Sequence, residues 1–209
     1  MQIQTRPTDF LLIQISWPAG KEPAPAGLPA TLQQNALKMP GCDQPLSLLR
    51  CAWSAELRCL YGYLALPGRT ELDAADLSPI RDALASATPE AADVRVSRLE
   101  CVFEREGHSI GGNPTAHYVV EMDPEDGWMP EISRWYDEEH MPGLAAVPGC
   151  VHAWRMLNHD HGPLSLACYD LVTPETMGSP SWLAVRATDW SSVTRPHFTN
   201  TKRTMFSVI

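Results

Sequence analysis

The chain has 209 residues, a formal net charge of −9 and 44% hydrophobic residues, with a mean hydropathy of −0.20. That length suits one large domain or two of about 100 residues. The acidic balance, with no basic cluster to offset it, argues against nucleic acid as a partner, and no apolar run has the length of a membrane span.

Met1 to Pro7 lack a basic segment followed by an apolar stretch, so no signal peptide is expected and a cytoplasmic location is. The six cysteines include no Cys-x-x-Cys pair and read as free thiols in a reducing compartment.

In chain order, residues 9–17 read as a buried strand and Pro18 to Pro29 as a loop rich in Pro, Gly and Ala. Residues 29–39 are a short helix ending at Met39-Pro40-Gly41-Cys42. Residues 46–54 and 57–66 are two strands of a hairpin, 73–87 a helix with Leu77, Ile80 and Leu84 at helical spacing, and 94–104 a fourth strand. This order, β-α-β-β-α-β, is the ferredoxin-like pattern.

A linker from Glu106 to Pro114 follows, and the order starts again. Residues 117–122 read as a strand, 130–146 as a helix, 151–157 and 164–172 as strands, 179–187 as a helix with further turns through 190–200, and 204–209 as the last strand. Pro18 and Pro124, Pro40-Gly41-Cys42 and Pro148-Gly149-Cys150, and Pro67 and Pro174 align at one offset of about 107 residues. The spacing predicts an internal duplication, with a first repeat over 8–106 and a second over 115–209. A ferredoxin-like sheet covers one face with its helices and leaves the other bare, and a bare apolar face needs a partner. The continuous apolar runs Leu11-Leu12-Ile13 and Tyr118-Val119-Val120 fit strands buried on both faces.

The densest mix of aromatic, acidic and imidazole groups runs from Arg134 to Cys150. Ile132, Trp135, Tyr136, Glu139, His140 and Leu144 recur at helical spacing, and Pro142 ends or kinks the helix just past the histidine. An imidazole held there between a phenol and carboxylates is placed to handle a proton near neutral pH. A histidine hydrogen-bonded in the core is the alternative.

Trp135-Tyr136, His140, Pro142 and then Pro148-Gly149 leading into a strand resemble the EthD-like branch of the dimeric α+β barrel proteins. The segment from Trp190 through Arg195-Pro196-His197-Phe198 to Arg203 and Phe206 is similar to that family's closing segment. The resemblance is good over residues 116–209 and weaker before them. It implies an α+β fold in which tandem ferredoxin-like repeats form a pseudo-dimeric α+β barrel within one chain, with further homodimerisation left open. It also implies a pocket between each sheet and its helices. Aligned on Pro-Gly, His140 falls on Leu32, Tyr136 on Leu28 and Trp135 on Gly27, so the first repeat is expected to be structural and the second to hold the site.

The expected roles are His140 as general acid or base and Tyr136 as hydrogen-bond donor to an oxyanion. Trp135, Glu139, Trp190 and Arg195 are expected to bind or clamp the substrate. Either His152 or Arg155, on opposite faces of their strand, reaches the pocket, depending on which face meets the helices. His159-Asp160-His161-Gly162-Pro163 reads first as a hairpin turn, and its His-x-His lacks a third ligand at metal spacing. No metal is expected, and neither a dinucleotide fingerprint, a phosphate-binding loop nor a nucleophile elbow is present.

The expectation is therefore a small intracellular enzyme acting without cofactor, haem being the lesser alternative. Its substrate would be a small hydrophobic oxygenated ring compound, aromatic or lactone-like. The resemblance suggests isomerase, cyclase, dehydratase, decarboxylase or cofactor-free monooxygenase chemistry. A non-catalytic small-molecule-binding or accessory protein of the same fold is the alternative.

Overall fold

A computed structural model describes residues 5–36 and 46–209. The expected turn at Pro40-Gly41-Cys42, one of the three repeat landmarks, lies outside the described residues, as does the expected helix end at Met39. The described chain divides into two units: residues 1–100, 158–161 and 207–209, and residues 101–157 and 162–206.

In the first unit, strand β1 (Arg6–Ser16) buries Leu11, Ile13 and Ile15 within one core cluster, while the alternation of a strand sends Leu12 to the opposite face. β1 pairs antiparallel with β3 (Cys59–Leu72) and with β4 (Asp93–Glu106), and β2 (Ser47–Ser54) pairs with β3. Helices α1 (Leu28–Asn35) and α2 (Ser78–Ala87) bring Leu28, Leu32, Ile80 and Leu84 to the Leu11-Ile13-Ile15 face. The turn leading into α2 is held by a reciprocal cap, in which Asp73 accepts from Ala75 N–H while Asp76 accepts from the Asp73 N–H. Gly62 stands opposite Ile13 in the sheet, and a Cβ there would lie 2.5 Å from Leu32 Cδ1. The missing side chain lets Leu32 pack directly on the strand.

The second unit runs β5 (Ala116–Pro124), α3 (Met129–Trp135), a π-helical turn (Tyr136–His140), α4 (Met141–Ala145), β6 (Cys150–Asn158), β7 (Ser165–Leu171), α5 (Pro180–Arg186), α6 (Asp189–Thr194) and β8 (Phe198–Val208). β5 and β6 both pair antiparallel with β7. Strand order is β4-β1-β3-β2 in the first half and β8-β5-β7-β6 in the second, the same ferredoxin-like arrangement each time.

The expected architecture needs correcting. The eight strands run in one continuous antiparallel order, β1-β3-β2-β8-β5-β7-β6-β4, in which β4 pairs back onto β1, so the two repeats do not keep the separate sheets that the expected pseudo-dimeric α+β barrel assumed. Two strands carry this continuity, because β4 starts in the first unit and ends in the second while β8 does the reverse. Both are longer than expected. The final strand begins at Phe198 and not at Thr204, because the turns predicted through 190–200 stop at His197.

Among the described residues no helix is long and apolar enough to cross a membrane. Among the described residues, no two cysteines are joined in a disulfide.

The turn at Asp160 is a structural lock. Its carboxylate accepts from the Arg98 backbone N–H at 2.7 Å, from Nε at 3.0 Å and from Nη2 at 2.8 Å, and the two side chains are only 5% and 11% exposed. Burial alone would raise the Asp160 pKa, but the Arg98 hydrogen bonds outweigh it and hold the carboxyl below its ordinary value. Asp160→Ala leaves the Arg98 guanidinium buried without its counter-ion. We expect a loss of about 3–5 kcal/mol in urea unfolding at neutral pH. The loss should shrink at pH values low enough to protonate Asp160 in the parent protein.

Candidate functional site

Pro142 shapes the helix that carries the expected site. It has no N–H to offer and its ring crowds the carbonyl one turn back, so a regular α-helical ladder cannot run through it. The backbone widens ahead of it: the Met141 N–H donates to Tyr136 C=O, five residues earlier. Spacing of five brings Trp135 and His140 into line, and their rings stack with centroids 4.1 Å apart and planes 23° apart. Tyr136 meets His140 edge-on at 5.7 Å, and Phe198 stacks on Tyr136 at 6.0 Å. The sequence predicted one continuous helix; the structure has three segments, and the break creates this stack.

The sheet supplies the opposite wall. Tyr118 and Tyr169 are cross-strand partners with rings 6.3 Å apart, and Trp182 of α5 packs edge-on against both, at 6.2 and 5.2 Å. The Tyr169 hydroxyl donates to Met141 Sδ at 2.9 Å. On β6, the face carrying Ala153 and Arg155 meets the helices. Arg155 is 2% exposed and donates to Ser133 Oγ at 2.8 Å and Asp137 Oδ1 at 3.3 Å. Its guanidinium lies over the Tyr136 ring, 5.2 Å from the centroid.

Trp135, Tyr136, His140 and Arg155 are thus brought together. Glu139 lies at the edge, accepting from the Thr188 hydroxyl at 2.7 Å and tying the π-helical turn to the start of α6. His152 points to the other face, where it stacks on Trp154 at 4.1 Å and stands 3.0 Å from Glu104. Trp190 packs on the outer side of α3: its indole donates to Glu131 at 2.8 Å, and the Arg134 guanidinium lies over its ring. Arg195 occupies the turn before β8 and is half-buried.

Tyr118, Tyr169, Trp182 and Arg186 were not singled out from the sequence. Strand alternation places Tyr118 on the same sheet face as Arg155, but only once the helix-facing side of β6 is known. On the opposite face of β5, His117 Nδ1 and Asp170 Oδ1 are 2.8 Å apart and both residues are 1% exposed.

Electrostatics set the protonation states. Burial, followed by the positive charges of Arg195 and Arg186, lowers the His140 pKa to about 3, so the resting imidazole is neutral. No carboxylate orients it, since Asp137 serves Arg155 and Glu139 serves Thr188. Burial raises the Tyr136 pKa well above that of a free phenol against the pull of Arg155, so Tyr136 is a hydrogen-bond donor. Four buried polar atoms of the cluster have no hydrogen-bond partner: Trp135 Nε1, His140 Nδ1, Arg155 Nε and Trp182 Nε1.

The first unit has no equivalent cluster among its described residues. Leu32, aligned with His140, sits on Gly62, and Gly62 falls on Tyr169 at the repeat offset of 107 residues. The corresponding space is filled by an aliphatic side chain.

No family model matches the chain, and no curated protein matches it in sequence. Solved structures do share its fold. An anthrone oxidase-like protein superposes with a TM-score of 0.61 at 10% identity, covering 97% of this chain and 91% of its own. A candidate monooxygenase from Lactobacillus acidophilus gives 0.58 at 11% identity, over 97% and 93% of the two chains. A candidate chlorite dismutase gives 0.57 at 9% identity, over 97% and 95%. The chain has the ferredoxin-like fold of these proteins.

The range of activities named among them overturns the expectation of cofactor-free action, which is withdrawn. Against the haem kept as the lesser alternative, His140 offers the neutral, unpartnered nitrogen an iron requires. That nitrogen is buried and its ring lies flat on Trp135. The fit is chemical but not steric, and no step below runs through such a group. Among the described residues, no group of three or more His, Cys, Asp or Glu side chains is placed to hold a metal ion.

Two outcomes are expected. The unfolded chain takes up a proton at His140 below about pH 6.5, while the folded chain refuses it until about pH 3, so stability falls as pH drops through that window. His140→Phe should flatten the fall in chemical-denaturation stability between about pH 6 and 4. Pro142→Ala restores an N–H and lets the helix run regularly. The His140 ring protons, shielded by Trp135 in the parent, should then move downfield in NMR spectra.

Proposed function

We propose that the chain is a small enzyme of the monooxygenase-like branch of this fold, acting on a small hydrophobic oxygenated ring compound at the Trp135-Tyr136-His140 cluster. EthD-like kinship and tandem duplication over 8–106 and 115–209 belong to the same reading. They are supported by the local motif and by the strand order common to both halves. Above all, four unpartnered buried polar atoms inside one aromatic cluster support it. Buried polar groups are normally hydrogen-bonded, and clustered exceptions mark places where another molecule supplies the partner.

The residues divide the work. The aromatic walls hold the ring and exclude water. A substrate C–H next to a carbonyl, or a phenolic O–H, gives its proton to the neutral imidazole of His140, and the electron pair stays on the substrate oxygen. Tyr136 donates a hydrogen bond to that oxyanion. Low resting basicity does not stall the step, because the anion formed beside the imidazolium raises the basicity of the ring as the proton arrives. Arg155 positions Tyr136 by lying over its ring and bonding the helix behind it.

A second reading is favoured by that same low resting basicity: a non-catalytic protein that binds such compounds. Turnover and binding, measured over a panel of anthrones, phenols and lactones, separate the two. Catalysis by proton transfer predicts that His140→Gln lowers kcat/KM by about 10²–10⁴-fold and that Tyr136→Phe lowers kcat more than it changes KM. A folded His140→Gln protein with full turnover would overturn the enzyme reading, and tight binding without turnover by the parent would establish the other.

A further inference from the structure

Three arginines of the second unit stand on separate elements around this cluster. Arg186 ends α5, one helical turn after Trp182, whose ring packs on Tyr118 and Tyr169. Arg195 lies in the turn that delivers Phe198 onto Tyr136. Arg203 is on β8, which is hydrogen-bonded to β5, the strand of Tyr118. Alternation along β8 puts Arg203 on the face of Met205, which packs against the aromatic core, while the buried Phe206 lies on the other face near His117.

The charges of Arg186 and Arg203 both bear on Arg195, and all three reach the cluster. All three bear on Tyr118, two on Tyr136 and two on His140. Among the described residues, none of the three has a carboxylate or hydrogen-bond partner. Other arginines of this unit do: Arg134 pairs with Glu131 and Arg155 with Asp137. A chain of 25 acidic and 16 basic residues thus gathers three positive charges with no acid among them. Like charges held together raise the energy of the empty protein, and an anionic ligand would remove that cost.

We infer that Arg186, Arg195 and Arg203 form an anion-binding subsite at the edge of the cluster, so that the ring compound taken there carries a carboxylate or another ionised oxygen. The inference rests on the proposed function for the ring and adds the charge. The aromatic walls take the apolar body, and the guanidinium groups take the anion by charge-assisted hydrogen bonds.

The test compares 1-naphthoate with its neutral counterpart 1-naphthalenemethanol by tryptophan fluorescence and calorimetry, in the parent protein and in Arg195→Gln/Arg203→Gln. Naphthoate should bind about tenfold or more tighter at low salt, the scale of one or two charge-assisted hydrogen bonds. Added sodium chloride should erode that advantage. The double variant should lose it while holding the alcohol as before, and should be no less stable than the parent without ligand. A purely structural pair of arginines would instead leave the variant destabilised.

Equal affinities for the two compounds, or a preference that survives in the double variant, would overturn the subsite while leaving the ring site standing. Sulfate is the second probe. If neither ring compound binds but sulfate raises the parent Tm and not that of the double variant, the anion subsite stands and the ring-site reading falls. If sulfate too has no effect, both fall.

Discussion

The stacking of His140 on Trp135 is the interaction around which the second half of the chain is arranged. It exists because Pro142 interrupts the backbone ladder and turns a spacing of four into a spacing of five. Around that stack, Tyr136 is turned to meet Phe198, Arg155 is drawn over the Tyr136 ring, and Asp137 and Glu139 are engaged by Arg155 and Thr188 and not by the imidazole. The chemical character of the cluster follows: a neutral base and a protonated phenol in an apolar wall, lacking the acid that would ordinarily tune a histidine upward.

Much of the fold was legible because strands and helices announce themselves by period. The eight strands, and helices near 29, 78, 130 and 180, fall where alternation and the 3.6-residue repeat put them. Continuity of the sheet was not legible. Strand ends are set by what lies alongside, and the neighbours of β4 and β8 in the sheet include strands distant in sequence.

The aromatic cluster was readable where local chemistry declared it, at Tyr136, His140 and Pro142. It was unreadable where a choice of face decides: His152 and Arg155 are three residues apart on one strand, and only packing assigns the second to the cluster. Nothing local signals that the charges of Arg186 and Arg203 both bear on Arg195.

The corresponding positions of the two halves are filled in different ways. Leu32 packing on Gly62 fills the first half. In the second, His140 and Tyr169 stand at the counterparts; the Tyr169 hydroxyl finds Met141 Sδ, while His140 Nδ1 is left without a partner.

The passage of β8 from one unit into the other also bears on how the protein is made. Ala52 and Trp53 of β2 pair with Val208 and Ser207, and Ile209 donates to Cys51. The edge of the earliest sheet therefore stays open until residues synthesised after the whole second unit have emerged from the ribosome. A nascent chain must carry that unpaired edge until β8 has been made, which makes that interval the period of greatest exposure to strand-to-strand association with its neighbours.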